Sequence, residues 1–467
     1  MELIKKFSAF SIGPVGGAVI SFITVPLITY FISPEEYGKS SMFTLAQGTV
    51  SILIYLGMDQ AFVREFNKAR NSINKLMSNA IFIPAIGVTL LSSLIILNAK
   101  YVSMVLFDTP NELVAIYLLS LMFPFMVIEN FALLKIRMEE NGLLYSFFTI
   151  LLKVLIFIIT IFLFVFFEKS FRSVIYAMAL SEIINGTILY FVSINKMKLS
   201  LKYLDRNLIN KMLKFGLPLV PASMLGWVLT SMDKIMLRTL CTYSELGLYT
   251  AAFKIVSVLS IVQTCFTLFW TPVAYRWYEN KIDNSWFKNI CELVAFVMSE
   301  LCILLLIFKN LVAYILGSDF EQSIYIFPFL LMYPVMYTIS EATCVGIGFK
   351  RKTAYNILIS GIAGAVNMGL NCVLIPILYG KGAAIATGLS YLVFFWMRTM
   401  ISRKLWYRFS IRQFIFYSVI IIVNCGIHTF FSGITVYIIS GISFCMILII
   451  NNKTLKLLIR KIKEVIL

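Results

Sequence analysis

The sequence predicts an all-α integral membrane protein, on three observations. Of its 467 residues, 60% are hydrophobic and only 13% charged, against about 45–50% and about 25% in soluble domains. The mean hydropathy is +0.89. The apolar residues fall in continuous runs of about 20, the length that crosses a ~30 Å hydrocarbon core as a helix. They lack the every-second-residue alternation of barrel strands. So much apolar surface does not fit inside one water-soluble core, because such cores stop growing near ~250–300 residues. A soluble enzyme, a nucleic-acid-binding domain and a secreted disulfide scaffold are thereby excluded.

Fourteen segments qualify as spans: 8–32, 41–63, 78–97, 113–134, 143–167, 174–194, 215–239, 248–271, 289–308, 322–347, 354–375, 382–401, 414–430 and 434–451. Lys5 and Lys6 precede the first, which is long enough to span and lacks a small-residue cleavage site, so it is read as a span and not a signal peptide. The net charge of +17 sits in short runs between spans. One alternate set of connections holds 30 of the basic residues and the other set 6. By the positive-inside rule the basic side is cytoplasmic, both termini lie there, and the number of spans is even. The longest basic segment, 195–214, is expected to carry an amphipathic surface helix.

The eight cysteines all lie from Cys241 onward, without a CxxC pair, and His428 is the single histidine. Neither a metal site nor a disulfide framework is expected from that spacing. No phosphate-binding GxxxxGK[ST], no GxSxG and no HExxH occurs. No cofactor and no catalytic constellation is therefore expected.

The chain repeats itself. Ser33-Pro34-Glu35-Glu36-Tyr37-Gly38 recurs as Tyr243-Ser244-Glu245-Leu246-Gly247, with the Glu-x-Gly landmark offset by 209 residues. Six spans separate the copies, so both cross in the same sense, as a parallel repeat does. The lead helices carry Pro14 and Pro26 in one copy, and Pro218 and Pro221 in the other, with Gly13, Gly16, Gly17 and Gly216 nearby. Interrupted helices in corresponding positions point to a transport site. The competing reading is the general enrichment of Pro and Gly in membrane helices.

Ionisable residues inside spans cost at least ~2.5–3.5 kcal/mol each and tend to face a bundle interior or cavity. Lys153 and Glu182 fall at similar depth on consecutive spans. They are either a neutralising pair or a cavity-lining cation with a gating partner. Asp233, Lys234 and Lys254 share a level near the outer ends of two spans, where Asp233 and Lys254 could form a closing salt bridge. Arg238 is placed to snorkel. Glu300 lies mid-span without a basic neighbour in sequence. It is either an ion-coupling residue or a hydrogen-bonded glutamic acid. Asp59 with Arg64, Glu129 and Glu341 are expected to anchor helix ends, and Asn367 and Asn371, at i and i+4, to join helices.

With these residues in view, the chain resembles the Wzx-type polysaccharide (O-antigen) flippase family of the multidrug/oligosaccharidyl-lipid/polysaccharide exporter superfamily. The matching pieces are Pro26-Leu27-Ile28-Thr29 leading to Pro34-Glu35-Glu36-Tyr37-Gly38, and Leu56-Gly57-Met58-Asp59 leading to Arg64. In the second half they are Phe215-Gly216-Leu217-Pro218-Leu219-Val220-Pro221, Ser231-Met232-Asp233-Lys234, Glu245-Leu246-Gly247-Leu248-Tyr249 and Trp270-Thr271-Pro272. The resemblance implies a MATE-like fold with six-helix bundles at 1–200 and 201–410, then two additional helices and a basic tail at 411–467. It implies a flippase that moves undecaprenyl-pyrophosphate-linked oligosaccharide across a bacterial inner membrane by alternating access, with ion coupling as a family trait. Lys153, Lys234 and Lys254 would then meet the pyrophosphate, with Arg64 at the cytoplasmic entry, and Glu182, Asp233 and Glu300 would gate or couple. The implied partners are membrane lipid, a polysaccharide polymerase and a chain-length regulator. The rivals are a drug/cation antiporter of the same superfamily, a membrane-embedded polymerase or glycosyltransferase, and a lipid scaffold without transport. The mixed mid-span charges argue against the antiporter, and the absence of a long external loop against the polymerase or glycosyltransferase.

Overall fold

The computed structural model describes residues 2–69, 72–194, 200–352 and 354–451. The basic tail expected at 453–463, Arg70 and the basic positions 196–199 lie outside the described residues. All regular structure among the described residues is helical. The chain divides into two compact units, Met1–Ser231 and Met232–Leu467.

Unit 1 contains α1 (Glu2–Phe31), α2 (Pro34–Tyr55), α3 (Met58–Phe66), α4 (Ile73–Leu97), α5 (Ala99–Phe107), α6 (Leu113–Met138), α7 (Gly142–Phe166), α8 (Phe171–Leu189), α9 (Arg206–Gly216) and the first half of α10 (Val220–Leu240). Unit 2 contains the rest of α10, α11 (Tyr243–Ser257), α12 (Leu259–Glu279), α13 (Asn284–Ile307), α14 (Lys309–Leu316), α15 (Ser323–Thr343), α16 (Val345–Phe349), α17 (Ala354–Leu405), α18 (Arg412–Phe430) and α19 (Ile434–Ile450). Nine described helices are long and apolar enough to cross a membrane, and three bent pairs raise the number to twelve. Two of the fourteen expected segments escape that count for simple reasons. Tyr379, at φ 52° and ψ −130°, breaks α17 into two rods that count as one, and α19 has only 17 residues.

The repeat is visible bond by bond. Ser33 caps α2 by accepting from the Glu36 amide, and Thr242 caps α11 by accepting from the Glu245 amide. The Glu36 carboxylate accepts the backbone N–H of Phe171, where α8 begins. The Glu245 carboxylate accepts the N–H of Gly380 at 2.9 Å, where the second rod of α17 begins. Each glutamate satisfies an orphan amide at a helix start, where the helix dipole also favours a negative charge. Both pairs keep the offset of 209 (36 to 245, 171 to 380). The left-handed caps of α5 and α14, Asp108 (φ 56°) and Gly317 (φ 92°), keep it too.

In unit 1, α1 packs along α7. Gly13 leaves no room for a side chain, since a Cβ there would lie 2.7 Å from the Ser146 Cα. This close approach lets the Gly13 N–H donate to Ser146 Oγ at 2.8 Å, the small-residue contact that membrane helices favour. In unit 2, α15 packs along α17 and is 83% buried, the most enclosed of the candidate spans.

The prolines behave differently from the expectation of matched interruptions. Pro14 and Pro26 lie inside the continuous α1. Pro218 occupies a 3-10 turn, Leu217–Leu219, between α9 and α10, and Pro221 the first turn of α10. Pro is accommodated at a helix start because its missing N–H would be an orphan there anyway. One sharp bend of unit 1 falls between α2 and α3 (54°), at Leu56 and Gly57, both at positive φ.

Candidate functional site

Unit 1 builds its site from the bend inward. Gly57 meets Gly216 backbone to backbone, so closely that a Cβ on Gly57 would lie 2.3 Å from the Gly216 carbonyl oxygen. The amphipathic α9 is held there by ion pairs from Lys211 to Glu65 and from Lys75 to Asp205. Arg64 lies with its guanidinium 4.2 Å from the Phe215 ring centroid, and it is about half exposed. Beside it opens a cavity of ≈ 420 Å³ lined among others by Tyr55, Asp59, Gln60, Val220 and Ser223.

Tyr55 links this cavity to a deeper charge cluster. Its hydroxyl donates to the Met126 carbonyl at 3.1 Å, within electrostatic reach of Asp59, Glu129 and Glu182. Glu129 on α6 and Glu182 on α8 are both buried and lie against each other within electrostatic reach. Asn185 donates to Glu129 at 2.9 Å. Lys153, near the middle of the 25-residue α7, acts on both glutamates electrostatically without coming within ion-pair distance of either among the described residues. Of the two readings, the neutralising Lys153–Glu182 ion pair does not form among the described residues, and Glu182 lies against Glu129, which the sequence places as a helix-end anchor. Depth on α6 cannot be read without knowing how the helix is seated.

Unit 2 holds Asp233 differently. Its buried carboxylate accepts hydrogen bonds from the Tyr249 hydroxyl (2.7 Å), the Thr387 hydroxyl (2.6 Å) and the side-chain amides of Asn367 (3.1 Å) and Asn371. Four neutral donors already fill the carboxylate, and Lys254 is exposed. Asn367 and Asn371 do share a face and bond each other at 3.0 Å. Asn371 Oδ1 is buried without a partner. Among the described residues no group of three or more His, Cys, Asp or Glu could hold a metal.

Lys234 points its ammonium at the Phe253 ring, 5.5 Å from the centroid. Glu300 on α13 is buried with both carboxylate oxygens unbonded. Glu341, expected as an anchor, pairs with Arg398 at 2.6 Å. Sequence reasoning missed Tyr249, Thr387 and Arg398. The helical spacing of Thr387, Tyr391, Phe394 and Arg398 was the available signal.

Comparison with solved structures bears on the fold. The chain is similar to a structure of the lipid II flippase MurJ in an inward closed conformation, with TM-score 0.71, 14% identity and coverage of 96% of this chain and 99% of that one. It is also similar to an inward-facing multidrug resistance MATE family transporter of the MOP superfamily, with TM-score 0.63, 13% identity and coverage of 83% and 94%. A Vibrio cholerae MATE transporter matches with TM-score 0.54, 15% identity and coverage of 85% and 96%. The fold is therefore the all-α MurJ/MATE-like transporter fold. Among curated proteins, none matches the sequence significantly. The family model described as polysaccharide biosynthesis protein matches residues 3–275, more than half of the chain, and the chain belongs to that family.

Proposed function

We propose that the chain is a flippase for undecaprenyl-pyrophosphate-linked oligosaccharide, working by alternating access in a bacterial inner membrane with both termini in the cytoplasm. Family membership and the lipid II flippase fold support a lipid-linked saccharide as cargo. The observation that carries the reading is Lys153, a half-buried cation midway along α7 with no carboxylate in ion-pair contact among the described residues. A pyrophosphate needs such a charge to leave water. Arg64, Lys234 and Lys254 are the further candidate contacts, and the excess of basic residues on one set of connections supports the orientation. The unbonded Glu300 supports ion coupling. A polysaccharide polymerase and chain-length regulator would take the product.

Complementation tests the reading. The chain is expressed in a bacterium lacking its O-unit flippase, with cognate sugar-assembly genes supplied. Wild type restores surface polysaccharide, whereas Lys153→Ala inserts normally and does not. Lipid-linked units trapped on the cytoplasmic face with wild type would sink the proposal and favour the drug-antiporter reading.

A further inference from the structure

Unit 2 carries a row of rings that the reading above does not use. Phe253 stacks on Tyr333, with centroids 5.9 Å apart and planes 8° apart. Tyr333 meets Tyr391 at 4.6 Å, Tyr391 leads to Tyr337 at 6.5 Å, and Tyr337 stacks on Phe394 at 5.5 Å. The rings come from three helices in helical register, with Tyr333 and Tyr337 on α15 and Tyr391 and Phe394 on α17. All five are half-buried, although α15 is otherwise enclosed.

The phenol groups decide what the row faces. The hydroxyls of Tyr333, Tyr337 and Tyr391 bond to no described residue, and none is among the buried unpartnered atoms. Tyr333 lies midway along α15. An unbonded hydroxyl at that depth does not face lipid, where its burial would cost several kcal/mol. It faces open polar space. At one end Arg398 lies 5.0 Å from the Phe394 ring, neutralised by Glu341. At the other, Tyr249 stacks on Phe253 at 6.2 Å while donating to Asp233. From Thr387 to Arg398 the row covers about 16 Å at the ~1.5 Å helical rise per residue.

The row thus offers partly exposed rings and free phenol edges, with the Lys234 ammonium on Phe253 set against the neighbouring Asp233. A saccharide matches it: its C–H faces carry the partial positive charge that ring faces attract, and its hydroxyls pair with phenols. We propose that this stripe is a saccharide platform that holds the sugar part of the cargo, its Tyr249 end shared with the Asp233 cluster. This rests on the flippase reading.

The test is equilibrium binding to the full chain in phosphatidylethanolamine/phosphatidylglycerol nanodiscs. The two probes are bare undecaprenyl pyrophosphate and the glycan-bearing lipid extracted from the complementation host. Wild type should bind the glycan-bearing lipid about tenfold tighter than the bare one. Tyr333→Leu with Tyr391→Leu should lose that increment and bind the bare lipid as wild type does, and Tyr391→Phe should lose part of it. An increment that survives in the double variant overturns the platform, as does an equal loss toward both lipids. If the double variant fails to fold, Tyr391→Phe and Phe394→Leu decide, and a full increment in both overturns it. Wild type binding both lipids equally sinks the platform alone. Binding of neither sinks the flippase reading as well.

Discussion

Glu182 stands in unit 1 where Tyr391 stands in unit 2. Both lie the same distance past the helix start that a glutamate caps (171 to 182, 380 to 391). Three residues further on, Asn185 corresponds to Phe394. One helix position therefore feeds a carboxyl cluster in one unit and an aromatic row in the other. The backbone scaffold, its caps and its left-handed turns are common to both. The lesson is that repetition preserves the bonds that start and stop helices, while the faces turned to the site are free to diverge.

The cost of removing the two buried carboxylates should differ most. Asp233→Leu strands the Asn367 and Asn371 amide donors, while the Tyr249 and Thr387 hydroxyls keep second acceptors in Thr387 Oγ1 and the Ala383 carbonyl. At roughly 1–3 kcal/mol per stranded donor it should lower stability by about 2–6 kcal/mol and abolish transport. Glu182→Leu leaves Glu129 bonded to Asn185 and should cost only about 1–3 kcal/mol. Thermal unfolding of both variants in detergent measures this, and equal losses would break the contrast between the two sites.

Gly57→Ala comes next. The new Cβ would collide with the Gly216 carbonyl, and the left-handed φ of 73° adds strain. A loss of about 2–3 kcal/mol is expected. Gly361→Ala, with open space around the new methyl, should stay within ~0.5 kcal/mol.

The matched caps sharpen the likeness instead of the difference. Glu36→Leu and Glu245→Leu each unbind one helix-start amide and should each cost about 1 kcal/mol. A gap of more than ~1 kcal/mol between them would deny that the two bonds are equivalent.

The smallest effect concerns two helix caps outside the spans. Lys75, and after it the Leu208 and Asn207 amides, hold the Asp205 carboxyl below the ordinary aspartate value. Asp283 is lowered by the Ser285 hydroxyl and then its amide. A lowered folded value means the stabilisation is complete above the unfolded value of about 3.9 and is lost as pH falls through the folded one. Asp205→Asn should thus lower the melting midpoint slightly at neutral pH and not in acid. High salt should shrink that difference, and should leave the Asp283→Asn difference unchanged.

Much of the architecture was legible before any coordinates. The spans follow from continuous apolar runs, the amphipathic α9 from its basic segment, and the repeat from Glu36 and Glu245. What α2 and α11 share is local: a hydroxyl cap and a first-turn carboxylate, both written within a few residues. The site was less legible. Charge invites a charged partner, which in the sequence sets Asp233 against Lys254, yet its partners Thr387 and Asn367 lie more than 130 residues away in sequence. Glu129 looks like an anchor in the sequence because the seating of α6 is not encoded in α6.

By itself the sequence determined the membrane class, the helices and the repeat, since these depend on hydropathy, capping and the rise per residue. The tertiary structure alone decided which polar group meets which. In an apolar interior every buried donor must find an acceptor, and the choice among candidates is made by packing. That is why Asp233 ends among neutral hydroxyls and amides and Glu182 against another carboxyl.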